Sequence, residues 1–212
     1  MTRPRQEYAP VQERGEATKN RLLDQALELF SRKGYHATTS KEIAAAAGLA
    51  TGSLYRYFRD KKAVFLGVCS RLESGMQADI FGLGLRLRAQ GCSPRRLLET
   101  VVNKALQAHE PHRRFHLEVM TLQARDPDVA ALVRERRERI TRQLQDFLRP
   151  MQLDLRVADL KTAAALVHMT VEEAAFQTVI LQEHHTSQAL RIECVDMLAR
   201  YLLQDPEPSQ EG

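Results

Sequence analysis

Thr51, Gly52, Ser53, Tyr55, Arg56 and Tyr57 crowd hydroxyls, two phenols and a guanidinium into one short stretch. These side chains donate hydrogen bonds and offer aromatic faces; no nucleophile stands beside a base. Their chemistry is recognition of a polar, anionic surface. The elements that position them are short. Lys41 to Ala47 contains nothing that breaks a helix, and Thr38, Thr39 and Ser40 ahead of it can each cap its start. Gly48 ends that helix, and Thr51 to Tyr57 resumes as a second one. Residues 38–58 therefore read as two short helices joined by a tight glycine-containing turn, the helix-turn-helix layout whose second helix enters the DNA major groove. Leu54 and Phe58 are expected in its core.

Charge agrees with that reading. Residues 1–66 carry 12 Lys/Arg against 7 Asp/Glu, whereas the rest of the chain is close to neutral. The basic excess thus lies around the segment expected to meet phosphates. The three cysteines are far apart and form no C-x-x-C, which argues against a disulfide framework or zinc knuckle. No apolar run reaches the roughly 18 residues of a membrane span. None follows Arg3 and Arg5, so no signal peptide and a cytoplasmic location are expected.

The remaining pattern is helical throughout, so the fold class expected is all-α: an N-terminal three-helix DNA-binding unit joined by a continuous fourth helix to a helical bundle. Residues 1–15 read as a flexible arm whose Arg3 and Arg5 either reach a minor groove or stay in solvent. Residues 16–33 form an amphipathic helix with Leu22, Leu23, Ala26, Leu27, Leu29 and Phe30 on one stripe. Ile43 and Leu49 complete the core of residues 16–66, with Tyr35 under the turn. Asp60 caps the fourth helix, which runs toward Gly82 and Gly84; Gly82, Gly84 and Gly91 are expected to mark an irregular connection. In residues 67–204, helices are expected from Pro94 to about His109, from Pro111 to about Ala124, from Asp126 to before Pro150, over 158–182, and over 187–203 behind a Thr186 cap. Residues 205–212 read as a disordered tail.

Residues 22–65 resemble the DNA-binding domain of the TetR family of bacterial repressors. The resemblance rests on Ala26…Leu29-Phe30…Gly34-Tyr35, Thr38-Thr39, Ile43-Ala44…Ala47-Gly48-Leu49, Gly52-Ser53-Leu54-Tyr55…Tyr57-Phe58 and Lys61. It implies a homodimer on a palindromic operator, and a C-terminal helical domain whose small-molecule effector weakens DNA binding. It also implies a DNA-contacting set. Thr39 falls at a phosphate-contacting position, with Ser40 and Lys41 beside it. Thr51, Gly52 and Ser53 begin the reading helix. Tyr55 and Tyr57 fall where phosphate or thymine methyls are met. Arg56 falls at a base-reading position, where a guanidinium can bond guanine O6 and N7. Lys61 matches a phosphate contact. Position 50 is commonly a capping serine in the family and is Ala50 here, so Thr51 either caps the helix or faces DNA.

No enzyme is expected, and no catalytic residue, cofactor or metal site. A di-iron bundle needs paired Glu-x-x-His motifs, and none occurs; His168 and Glu172 stand alone, and His184-His185 has the wrong spacing to converge. In the C-terminal part, Phe115, His116, Met120, Phe147, His168, Met169, Glu172 and Phe176 are candidates to line an effector pocket, the alternative being ordinary core. Glu172 implies a cationic or donor-rich ligand if buried in the pocket, or an edge residue pairing with Arg or His. Ala163, Ala164, Ala165, Ala174 and Ala175 make the helix over 158–182 slim, which suits a dimer interface shared with 187–203. The 134–139 run, RERRER, reads as an exposed face. The function expected is a ligand-released repressor; the alternatives are a regulator without a ligand, an activator, or an all-α metal-dependent enzyme.

Overall fold

The computed structural model describes residues 11–180 and 187–204. Among these lie nine α-helices: α1 (Val11–Lys33), α2 (Ser40–Ala46), α3 (Thr51–Tyr55), α4 (Lys61–Ala89), α5 (Pro94–Gln107), α6 (Arg113–Gln123), α7 (Pro127–Leu148), α8 (Leu160–Ala175) and α9 (Ser187–Leu202). The only extended pairing among the described residues is an isolated bridge, Leu155 to Leu203. The fold is all-α. Arg3, Arg5, His184, His185, the Thr186 cap and the 205–212 tail lie outside the described residues.

The chain divides into two compact units, residues 1–71 and 72–212, and the division falls inside α4. In the first unit, Leu22, Ala26 and Phe30 of α1 are fully buried with Ile43 of α2, Leu54 of α3 and Val64, Phe65 and Val68 of α4. Burying side chains of this size contributes about 1.5–3 kcal/mol each, which is what holds helices as short as α2 and α3 in place. Leu27 and Leu49, expected in the core, are only half-buried. Tyr35 packs edge-on to Phe65, ring centroids 5.2 Å apart. The helix-turn-helix bend is a Schellman cap: Gly48 N–H bonds Ala45 O at 3.0 Å and Leu49 N–H bonds Ala44 O at 2.9 Å. Gly48 sits at φ 68°, where a side chain would be strained.

Two expectations need correction here. Val11 to Gly15, read as part of an arm, form the first turn of α1. Gln12, Glu13 and Arg14 favour a helix, and the Thr18 hydroxyl bonds Arg14 O at 2.8 Å. Gly82 and Gly84 do not interrupt α4. A Cβ at Gly84 would come within 2.7 Å of the Phe147 ring, so this glycine is a notch that lets α7 pack closely against α4.

The second unit is built on α8, which packs against α5, α7 and α9. Its helices start as the sequence requires: Ser93 caps α5, Asp126 caps α7 and Asp159 caps α8. Leu97, Leu106, Ala163, Val167, Leu198 and Leu202 form the middle of the core. Buried Arg95 ties α5 to α9 through Asp196 at 3.1 Å. Beyond Ala175 the helix widens into a π-helical turn, Phe176–Ile180.

Candidate nucleic-acid interface and buried polar cluster

The short helix α3 rests on Leu54, fully buried, and on Phe58, just beyond its end. That anchoring leaves Tyr55 53% exposed and turns Arg56 to solvent. Gly52 is exposed as well, and a Cβ there would meet nothing within 4 Å, so the backbone is open to close approach. Thr51, Ser53 and Tyr57 are half-buried along the same helix and its C-terminal turn. The N-cap is Ala50, which makes no side-chain bond, and Thr51 is the first helical residue. Its hydroxyl is therefore not the cap of α3. Ser40 is half-buried and Lys41 exposed at the start of α2.

Thr39, expected at a phosphate contact, has a structural role. It is the N-cap of α2 in a reciprocal capping box with Glu42. Thr39 N–H and its hydroxyl both donate to Glu42 Oε2, at 2.9 and 3.0 Å, while Glu42 N–H donates to Thr39 Oγ1. Lys33 Nζ stands 2.5 Å from the other carboxylate oxygen. The Lys33 bond, then the Thr39 bonds, lower the Glu42 pKa to about 2. A fixed carboxylate thus occupies the helix end where a phosphate would otherwise be favoured. The capping box is legible in the sequence as Thr39-x-x-Glu42, and Glu42 is the partner the sequence reading did not single out.

Lys61, too, has a structural role. Its ammonium donates inward to Tyr35 O at 2.6 Å and Thr38 O at 2.7 Å, approaches His36 O at 3.4 Å, and stands 4.3 Å from the Tyr35 ring centroid. Partial burial pulls its pKa down, against the opposing attraction of Glu42. With its donors engaged on these carbonyls, Lys61 clamps the loop before α2 to the start of α4.

In the second unit the structure brings together only part of the expected pocket lining. His116 Nε2 lies 3.3 Å from Nδ1 of His109, which the sequence reading did not single out. Glu172 bonds Arg136, lies 3.7 Å from Arg137 Nη2, and lies 3.5 Å from His168 Nε2. Phe115 is fully buried one residue before His116, and Phe176 is half-buried one turn after Glu172. Three candidates fall elsewhere. Met120 and Met169 are 43% and 58% exposed. Phe147 packs on Phe81 and Gly84, eleven residues or about 16 Å along α7 from Arg136. The 134–139 run is not uniformly exposed: Arg136 and Arg139 turn inward, Arg139 reaching Glu73 at 2.8 Å.

Burial first, and Arg136 among the charges, hold the histidines well below their ordinary pKa: His109 and His168 at about 4, His116 at about 3. All three imidazoles are uncharged at neutral pH. Among the described residues, no group of three or more His, Cys, Asp or Glu is placed to hold a metal ion.

A capped two-helix turn with an exposed Tyr-Arg surface, followed by an all-helical second unit, defines a helix-turn-helix regulator. The comparisons give the family. The profile for bacterial regulatory proteins of the tetR family matches residues 22–68, and that for the tetracycline repressor-like C-terminal domain matches residues 93–202. The chain belongs to the TetR family of DNA-binding transcriptional regulators. The transcriptional repressor KstR2 of Rhodococcus jostii is 36% identical over 90 residues, which is 42% of this chain and 42% of that protein. The alignment thus spans less than half of that curated relative's length. A TetR-family regulator from Mesorhizobium loti superposes with a TM-score of 0.77 at 16% identity, covering 90% of this chain and 98% of the other. SmeT, the repressor of a multidrug efflux pump of Stenotrophomonas maltophilia, superposes with a TM-score of 0.69 at 22% identity, covering 92% and 96%. It has also been solved with triclosan bound.

Proposed function

We propose that the protein is a ligand-released repressor that binds a palindromic operator as a homodimer, and that it carries no catalytic activity. The observation that carries this reading is α3, whose Tyr55 and Arg56 are exposed over buried Leu54 and Phe58. A five-residue helix reads few base pairs, so two copies about 34 Å apart are needed to specify an operator. The DNA-facing set is Ser40, Lys41, Thr51, Gly52, Ser53, Tyr55, Arg56 and Tyr57. Thr39 caps α2 and Lys61 clamps the loop before it, so both position that set.

The dimer interface we propose uses α8 and α9, but not the alanines expected to form it. Ala163, Ala164, Ala174 and Ala175 are buried within the chain. Leu166 and Met169 of α8 and Ile192 and Met197 of α9 are instead exposed, between 43% and 58% each. Large apolar side chains exposed on two packed helices suit a second copy of the same pair.

DNA reading belongs to residues up to 66 in this account, and sensing and dimerisation to residues 67–204. The continuous helix α4 would carry a change between them. An effector releases the operator only through its differential affinity for two states, typically about 1–3 kcal/mol. Among the described residues, no helix is long and apolar enough to cross a membrane. Selection of bound sequences from a random duplex pool tests the reading, together with mass measurement of the free protein. A palindrome with half-sites one helical turn or a multiple apart, and a dimer mass, are expected. A monomer recovering no common sequence would end it.

A further inference from the structure

We propose that His109, His116, His168 and Arg136 form a binding site for a carboxylate, a monoanionic head on an apolar body. The proposal deepens the sensor reading above and rests on it. Its first support is His168. The residue is only 5% exposed, and neither ring nitrogen has a hydrogen-bond partner among the described residues. Nε2 stands 3.5 Å from Glu172 Oε1 without hydrogen-bond alignment. An unsatisfied buried polar group is destabilising, and an apolar side chain of similar shape would avoid that cost. Structural packing therefore gives no reason for an imidazole at this position; an incoming hydrogen-bonding group does.

The second support is charge. Glu172 already faces two guanidinium groups, Arg136 on one oxygen and Arg137 at 3.7 Å on the other. Two guanidinium groups against one carboxylate leave a net positive charge around Glu172, which disfavours an ammonium ligand. His168 faces Arg136 and Arg137 from α7, His109 from beyond the end of α5 and Glu172 from its own helix. His116 faces His109, His112 and Arg136. The imidazoles stay uncharged in that field, so each has one N–H donor and one acceptor nitrogen; one N–H of the His109–His116 pair bonds the other ring, which leaves one donor of that pair and the His168 N–H for a ligand. A carboxylate accepts from both imidazole N–H and guanidinium, and these charge-assisted bonds are roughly twice as strong as neutral ones.

The third support is the wall. Phe115 precedes His116 on α6 and is fully buried, Phe176 is half-buried one turn after Glu172, and α6 packs against the π-helical turn 176–180. Widened turns of this kind are frequent at functional sites.

Isothermal titration of the full-length protein at pH 7.5 with octanoate, octan-1-ol and octylamine tests the proposal. Octanoate is expected to bind at least about tenfold more tightly than the alcohol, and the amine not at all. His168→Leu is expected to raise or preserve the melting temperature while weakening octanoate at least about tenfold; His116→Phe provides the same comparison if the first variant does not fold. Equal affinity for the three head groups, no octanoate binding, or wild-type affinity in the folded variant would overturn the carboxylate site. Operator release by the alcohol or amine alone would end the carboxylate assignment and leave the sensor reading standing. Octanoate binding without operator release would end the sensor reading and leave the site.

Discussion

Arg136 and Arg139, one turn apart on α7, hold carboxylates on two different helices. Arg136 bonds Glu172 on α8, beside the buried histidines, and Arg139 bonds Glu73 on α4 at 2.8 Å. Glu73 is buried and also accepts from Gln77 at 2.6 Å. A shift of this turn of α7 is thus felt at both the polar cluster and α4. Such a link counts as coupling only if the turn has two arrangements that ligand and operator bias differently.

Arg139→Ala removes the main charge partner of a buried carboxylate, whereas Glu73→Gln keeps a group that can still bond Gln77. The first is expected to cost about 2 kcal/mol, given the half-exposed guanidinium, and the second less than about 1 kcal/mol. Urea unfolding of the two variants checks the order. A larger loss in Glu73→Gln would show that the pair is not held as described.

Lys61→Met should destabilise the first unit, because Tyr35 O and Thr38 O lose their shared donor. About 2 kcal/mol is expected. For the folded fraction, the slope of log affinity for operator against log salt should stay at the wild-type value. A slope smaller by about 1 would mean that Lys61 neutralises a phosphate after all. Lys41→Ala should show that smaller slope.

Acid should weaken the second unit through its histidines. Their folded-state pKa values lie at about 4 for His109 and His168 and about 3 for His116, below the ordinary 6.5. The unfolded chain therefore binds more protons between those values, and stability falls as pH drops from about 6.5 through about 4. Taken singly, His109 or His168 accounts for about 3 kcal/mol over that window. Denaturation midpoints between pH 7.5 and 4 should drop steeply in the wild type and less steeply in His168→Leu. Equal slopes would contradict the buried, neutral assignment of His168.

Ala50 caps α3 without a side-chain bond. Ala50→Ser supplies an acceptor for the free N–H groups of the first turn, and a gain of about 0.5–2 kcal/mol is expected. Thermal unfolding measures it. An unchanged melting temperature would mean that the start of α3 is already satisfied in another way.

What could be read from the sequence follows from how local the signals are. Gly48, Thr39-x-x-Glu42 and the Leu22-to-Phe30 stripe each act within one or two turns, and the helix-turn-helix follows from them. The role of Lys61 was not readable, because its partners are backbone carbonyls 23 and 26 residues away, and carbonyls carry no residue identity. Within RERRER, the inward turn of Arg136 and Arg139 depends on Glu172 and Glu73, which only tertiary packing brings near. Gly84 looked like a breaker because its partner, the Phe147 ring, comes from another helix. The alanines of α8 were ambiguous for the same reason: small residues pack closely inside a chain as well as between chains, and Ala163, Ala164, Ala174 and Ala175 are buried within this one.

The central claim is that α3 reads an operator, and titration of DNA from upstream of the protein's own gene tests it most directly. Gel shift or anisotropy should show tight, sequence-dependent binding by the wild type. Arg56→Ala and Tyr57→Ala should weaken it about 5- to 150-fold with unchanged melting temperatures, the range set by about 1–3 kcal/mol per base-reading pair. Operator affinity unchanged in both variants would contradict the account.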